Sequence, residues 1–202
     1  MKIICIGRNY VAHAQELENE VPENPIVFIK PESSILKKGN DFKLPSFSSN
    51  IHYECELVLK IGKTGKDIAK ENALSYIDEI GLGLDLTARD LQDFQKQKGL
   101  PWEIAKAFDN STVLGDFILF DPLNPLQYTF ELLKNKEIVQ KGDPQLMVFD
   151  FETVLHYVSQ FFTLEKGDLI FTGTPSGVGK LEEGDILEGR LLNNFSFNLT
   201  IK

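Results

Sequence analysis

With 202 residues the chain can bury one proper core, and its 42% hydrophobic and 25% charged content is that of an ordinary globular protein. A net charge of -9 and a pI near 4.9 exclude a nucleic-acid footprint and docking on an anionic membrane, because both require a basic patch. An acidic protein that handles an anionic substrate needs local positive charge, from a bound cation or from a few Lys and Arg.

In chain order, "MKIICIGRNY" is too short an apolar run for a signal peptide, and Arg8 ends it. No segment approaches the length of a membrane span. "KIICIG" reads as a short buried strand, and Cys5 and Cys55, both inside apolar runs, read as free buried thiols suited to a reducing cytoplasm. "NYVAHAQELENE" follows as a short helix capped by Asn9, and "PIVFIKP" as a buried strand closed by Pro31. "SSILKKGNDFKLPSFSSN" is a polar loop with at most an edge strand. "IHYECELVLKIG" is a strand, "NALSYIDEI" a short helix and "GLGLDLTA" another strand.

"TARDLQDFQKQKG" predicts a helix opened by a capping box of Thr87 and Asp90, with Ala88, Leu91 and Phe94 on one face and Gly99 at its end. "LQYTFELLKNKEIVQKGD" predicts a hairpin turning at Asn135. "DFETVLHYVSQFF" is amphipathic, capped by Asp150, with Phe151, Val154, Leu155, Val158 and Phe162 as its stripe. From "GDLIFTGTP" onward the tail is mostly strand. It carries the second of two similar Gly-Asp turns, "LEKGDLI" and "LEEGDIL". With no linker and no low-complexity segment, the expectation is one domain over 1–202, of α+β class with a β-rich core.

Several residues can carry chemistry. On a strand His52, Glu54, Glu56, Val58 and Lys60 share one face, and Tyr53, Cys55, Leu57, Leu59 and Ile61 the other. The first face is either solvated or a place where two carboxylates converge on a cation. Asp85 is the only charge in "IGLGLDLTA", and it either caps the following turn or binds a metal. Residues at i and i+2 of a strand lie about 7 Å apart, close enough for Glu54 and Glu56 to be adjacent ligands. Joined by Asp85 they would form an all-oxygen set, which suits Mg2+, Mn2+ or Ca2+ and argues against zinc.

His13 and Glu16, at i and i+3 of a helix, are either a surface pair or an imidazole oriented as a general base. Lys106, in "LPWEIAKAF", either contacts an anion or enolate or lays its stem on Trp102 with its head in solvent. "TGTPSGVG" offers backbone N–H groups to an anion, or is an ordinary turn, and it lacks the ending of a P-loop. His52 is expected to be a neighbour of the site with no catalytic role.

Together "GRNYVAHAQEL", "FIKP", "HYECELVLKIGK", "GLDLTARDLQ", "KGLPWEIAKAFD" and "TLEKGDLIFTGTPSGVG" resemble the fumarylacetoacetate hydrolase family. The likeness is to its short branch, the acylpyruvases and oxaloacetate decarboxylases, and runs in order from about Lys2 to Gly179. It implies a β-rich roll of mixed sheets with few helices, usually a homodimer. It implies Glu54, Glu56 and Asp85 as ligands of Mg2+ or Mn2+. His13 and Glu16 match a water-activating dyad on a helix that closes as a lid, and Lys106 a lysine that steadies an enolate. Arg89, Gln92, Gly173 and Thr174 match the substrate end, and Arg8 and Lys30 further polar groups around it. "GRNY" offers no aspartate, so three protein carboxylates plus waters are expected, and "FDNSTVLGDF" departs from the branch in a segment near the pocket.

The implied activity is metal-dependent cleavage of a C–C bond in an acylpyruvate, a 2,4-dioxo acid, with pyruvate leaving as its enolate. Oxaloacetate decarboxylation and isomerisation or tautomerisation of a 2-hydroxydienoate are alternatives on the same site. A non-catalytic module that binds a 2-oxo acid is the rival from another class.

Overall fold

In the computed structural model, which describes residues 1–16 and 20–202, apolar strands assemble into three sheets flanked by short helices. The first half holds β1 (Ile3–Gly7), α1 (Val11–Glu16), β2 (Ile26–Lys30), β3 (Ile51–Tyr53), β4 (Cys55–Ile61), β5 (Ile77–Asp85), β6 (Thr87–Ala88) and α2 (Arg89–Lys98). Then come α3 (Glu103–Lys106), β7 (Thr112–Leu119), β8 (Phe130–Lys134), β9 (Glu137–Gly142), α4 (Phe151–Ser159), β10 (Leu169–Phe171), β11 (Gly179–Lys180), β12 (Ile186–Leu191) and β13 (Asn194–Thr200). The largest sheet is mixed, in the order β2-β1-β10-β4-β5-β7, with β1 and β10 parallel. The others run β11-β3-β6 and β13-β12-β8-β9. This is the β-rich α+β architecture that the sequence predicts.

The central strand β4 is buried on both faces. Leu57, Leu59 and Ile61 join the main core with Leu82, Leu84 and Val154. Val58, on the glutamate face, packs with Ile3, Cys5, Leu169 and Phe171 in a smaller cluster. The face that alternation left open to solvent therefore lies inside the protein. Register does the rest. Glu56 pairs with Gly83 and Cys55 with Leu84, and the Asp85 N–H donates to the Glu54 carbonyl at 2.9 Å. Directly opposed residues of an antiparallel pair share a face, so Glu54, Glu56 and Asp85 point the same way. Gly83 has to be glycine, because a Cβ there would lie 2.7 Å from the Phe171 ring and 2.8 Å from the Val113 carbonyl oxygen.

Other expectations meet the structure unevenly. The hairpin turns on Asn135 and Lys136 at φ 53 and 74, the positive pair that a two-residue type I′ loop requires. Asp150 accepts the Thr153 N–H at 2.7 Å, and α4 buries Phe151, Val154, Leu155 and Val158. The two Gly-Asp phrases form the same turn. In each, the Asp carboxylate accepts the N–H of the second residue (2.8 Å for Glu165, 2.7 Å for Glu182), and Gly167 and Gly184 take φ 92 and 91.

Several expectations need correction. β2 is an edge strand rather than a buried one, and Lys30 is its only fully buried residue. "NALSYIDEI" divides into a 3-10 segment over Lys70–Tyr76 and the start of β5. The capping box does not form, because pairing of Ile51 with Ala88 holds Thr87 and Ala88 extended as β6. The Thr87 hydroxyl donates instead to the Asp85 carbonyl at 3.1 Å. Asn9 does not cap α1, whose first residue follows Tyr10. Its amide instead ties two loops together, donating to the carbonyls of Phe149 and Thr172 and accepting from the Phe149 N–H. The rest of that expected helix, 17–19, lies outside the described residues.

Candidate active site

At Glu54 the chain leaves the β3 sheet and enters the main one, and the two carboxylates of the β3–β4 run turn inward with Asp85. All three are buried, and one oxygen of each lies within 4.8 Å of the others. Three buried carboxylates at such distances repel one another strongly unless positive charge is supplied. Lysines supply part of it. Lys106 Nζ donates to Glu54 Oε2 and Asp85 Oδ2, each at 2.7 Å. Lys30 Nζ donates to Asp85 Oδ1 at 2.5 Å and to the Ser111 carbonyl at 2.8 Å. The Arg89 guanidinium donates to Glu54 Oε1 and to the Gln92 side-chain oxygen. Glu56 has no cationic side-chain partner among the described residues and receives only the Gly173 N–H, at 2.7 Å.

The titration directions follow this inequality. Burial raises the Glu56 carboxyl well above the usual carboxylate range, and Asp85 and Glu54 add to the effect. Burial would raise Glu54 too, but Lys106, then Arg89 and His13, hold it well below. An all-oxygen set with one carboxylate lacking a countercharge fits a hard divalent cation, which would hold Glu56 ionised and take over the load now on Lys106.

Helix α1 brings His13 to the same cleft. Its Nδ1 lies 3.4 Å from Glu16 Oε2, and the Glu16 carboxylate accepts the Gly177 N–H at 3.0 and 3.2 Å. Burial lowers the His13 pKa, Glu54 and Glu16 opposing it, so the imidazole is neutral at pH 7. With Nδ1–H directed at Glu16, Nε2 is left as the basic atom.

The 172–179 loop turns its N–H groups to the protein's own side chains, Gly173 donating to the Glu56 carboxyl group and Gly177 to that of Glu16. Thr174 faces the cleft. Its hydroxyl donates to the Cys55 carbonyl at 2.8 Å and accepts from Gln140, which also accepts the Cys55 N–H at 3.0 Å.

Arg8, His13, Glu54, Glu56, Asp85, Arg89, Gln92, Lys106 and Thr174 all line one cleft. Glu16, Lys30 and Gly173 do not line it and sit behind the groups they hold. Lys106 is 3% exposed, so its stem does not lie on Trp102 with the head in solvent; Lys96 takes that ring, 5.8 Å from its centroid. Sequence reading points to neither Gln140 nor Lys96, and to Asn9 only as a helix cap. A lone glutamine in the apolar alternation of "EIVQKG" was the only local sign of the first.

His52 lies outside the cleft lining, with Nε2 3.0 Å from Asn50 Oδ1 and a buried Nδ1 that has no partner among the described residues. Burial, then Arg89, push its pKa down to about 4. A folded-state value below the unfolded 6.5 means that the unfolded chain takes the proton first. The stability that neutral His52 contributes is complete above pH 6.5 and is lost as pH falls toward about 4. His52→Gln is therefore expected to reduce the fall in Tm between pH 7 and 4.5, and an undiminished fall would contradict this.

Residues 2–195 match the family profile described as fumarylacetoacetate (FAA) hydrolase C-terminal. Over 201 residues the chain is 41% identical to a mitochondrial oxaloacetate tautomerase of Caenorhabditis elegans, covering 98% of this chain and 94% of that protein. It is 43% identical over 190 residues to a mitochondrial oxaloacetate decarboxylase of Dictyostelium discoideum, covering 93% and 87%. Among solved structures it is similar to fumarylpyruvate hydrolase from Pseudomonas aeruginosa in complex with Mn2+ and pyruvate. The TM-score is 0.93 at 35% identity, over 100% of this chain and 89% of that one. No helix among the described residues is long and apolar enough to cross a membrane.

Proposed function

Because this chain belongs to the fumarylacetoacetate hydrolase family, we propose that it interconverts the enol and keto forms of oxaloacetate at a site holding Mg2+ or Mn2+. The observation that carries this reading is the buried triad of Glu54, Glu56 and Asp85, with Lys106 against two of its members and neutral His13 on the same cleft. The names of the worm and Dictyostelium relatives support oxaloacetate, and the Mn2+ in the Pseudomonas hydrolase supports the cation.

Glu54, Glu56 and Asp85 would hold the cation, which when bound supplies a Lewis acid to polarise the 2-oxo group. Lys106 aims an ammonium where negative charge develops on the 2-oxo oxygen during enolisation. Arg89 and the Gln92 amide N–H on α2 present donors for the adjoining carboxylate, and Thr174, whose hydroxyl is taken up by the Cys55 carbonyl, shapes the wall of the same cleft. His13 Nε2 moves the proton between C3 and the 2-oxo oxygen, while Glu16, itself held by Gly177, keeps the imidazole in the required tautomer.

A second reading, hydrolysis of an acylpyruvate, is favoured by that same Glu16–Gly177 contact. It pre-orients a dyad able to take a proton from water as the water attacks the distal carbonyl. The C–C bond then breaks and pyruvate leaves as its enolate. Decarboxylation of oxaloacetate needs the charge-stabilising groups but no water. Following the enol absorbance of oxaloacetate beside pyruvate release from acetylpyruvate separates the readings. Tautomerisation is expected about 100-fold or more above the buffer rate. Faster hydrolysis than tautomerisation would favour the second reading, and neither activity would count against both.

We also propose a homodimer. Ile104 and Phe47, 62% and 51% exposed, rim an apolar groove with Ile29, Leu91 and Phe108, a surface suited to a second copy. The free buried cysteines support a reducing compartment such as the cytoplasm, and the net charge of -9 supports small-molecule rather than nucleic-acid or membrane partners.

A further inference from the structure

β10 runs antiparallel to β4 with Phe171 opposite Val58, and one step further the Thr172 N–H donates to the Leu57 carbonyl at 3.1 Å. Continued, that register would set Thr174 opposite Cys55, the two exchanging backbone N–H and C=O bonds. The chain departs instead at Gly173, whose φ of 99 turns it out of the strand and frees its N–H for Glu56 Oε2. The turn that gives Glu56 its donor therefore takes from Cys55 its partner in the ladder.

Cys55 stands between Glu54 and Glu56, so its N–H and carbonyl belong to the two peptide planes that aim those carboxylates. Two side chains stand in for the strand. Thr174 Oγ1 donates to the Cys55 carbonyl at 2.8 Å, and Gln140 Oε1 accepts the Cys55 N–H at 3.0 Å. Gln140 Nε2 donates in turn to Thr174 Oγ1 at 2.8 Å and to the Pro175 carbonyl at 2.9 Å. Both amide hydrogens and the amide oxygen are engaged, and only one orientation of the amide meets a donor on one side and a carbonyl on the other. Gln140 is 1% exposed and comes from β9, the edge strand of a different sheet. The same loop rests on β9 at Gly177, where a Cβ would run into the Val139 carbonyl oxygen.

We propose that Gln140, through the hydrogen-bonded ring it closes with Thr174 and Cys55, is a positioning residue that sets Glu54 and Glu56 at the spacing a shared cation requires. It rests on the reading that these two residues and Asp85 hold that cation. An apolar side chain at position 140 would leave the Cys55 N–H and the Pro175 carbonyl buried without this partner. The peptide planes would then turn to find others and carry the two carboxylates with them. Gln140 touches neither carboxylate, so its effect on a bound ion passes entirely through the backbone between them.

The test is calorimetry of Mn2+ binding to metal-stripped protein, with Tm measured alongside. Gln140→Met, which keeps the length of the side chain and removes the amide, is expected to weaken Mn2+ binding about 10–100-fold, the usual effect of losing a group that orients metal ligands. Ser159→Ala serves as the comparison. Its hydroxyl accepts the buried Ile68 N–H at 2.9 Å on α4, outside the cleft lining. Ser159→Ala should lower Tm yet keep Mn2+ affinity within about threefold of wild type, as expected of an independent site. Thr174→Val, which breaks the same ring from the other side, is expected to weaken Mn2+ about tenfold, and it decides the matter if Gln140→Met does not fold. Mn2+ affinity within threefold of wild type in Gln140→Met, or in Thr174→Val where that variant decides, overturns this proposal alone. So does an equal loss of affinity in Ser159→Ala, which would make the effect one of general stability. Failure of wild type to bind Mn2+ overturns the reading of the carboxylate triad and this proposal with it.

Discussion

Asp85→Asn is expected to abolish divalent-cation binding and to lower stability by about 3–5 kcal/mol, the usual cost of removing one partner of a buried ion pair. Asp85 is 0% exposed and accepts from both Lys30 and Lys106. Lys30, also 0% exposed, would be left with the Ser111 carbonyl as its remaining partner. Glu56→Gln is expected to behave in the opposite way in the absence of metal. Glu56 has a backbone N–H for a partner and faces two carboxylates, so a neutral amide of the same shape relieves repulsion and raises Tm. Both variants should lose the rise in Tm that Mn2+ gives the wild type. Urea unfolding with and without Mn2+ checks the pair, and an Asp85→Asn protein as stable as wild type would contradict the role assigned to the ion network.

His13→Ala is expected to lower turnover by about 10²–10⁴ while leaving Mn2+ affinity near the wild-type value, since His13 moves protons and holds no ligand position. The pH profile adds a sign. The base must be unprotonated, and burial holds His13 below its ordinary 6.5. The acid limb of kcat/KM should therefore fall at a pH below 6.5, because the neutral imidazole persists to lower pH. An acid limb centred at or above 6.5, or a His13→Ala protein of undiminished rate, would contradict this.

The carboxylate site was legible because its signals are local. Glu54 and Glu56 stand two apart in a strand, and Asp85 is the lone charge in an apolar one. What local sequence left undecided was which face turns inward. That is settled by long-range register, with β10 and β5 on either side of β4. The same ambiguity applies to α2. Spacing puts Ala88, Leu91 and Phe94 on one face, yet Phe94 is 53% exposed while Arg89, Gln92 and Gln95 are buried. A helix that lines a polar cleft turns its polar stripe inward, and this also hid Lys96. Thr87 and Asp90 have capping-box spacing, but strand pairing at β6 claims the residues that the cap would use. Gln140 and Asn9 act across 85 and 163 residues of chain, on Cys55 and Thr172, and no local pattern names such distant partners.

The most direct measurement is enol-to-keto conversion of oxaloacetate by a single preparation, before EDTA, after EDTA, and after dialysis into Mn2+. The rate should fall to that of buffer when metal is stripped and return with Mn2+ in the wild type but not in Asp85→Asn. A metal-stripped protein that still converts oxaloacetate at its full rate would show that Glu54, Glu56 and Asp85 do not work by holding a cation.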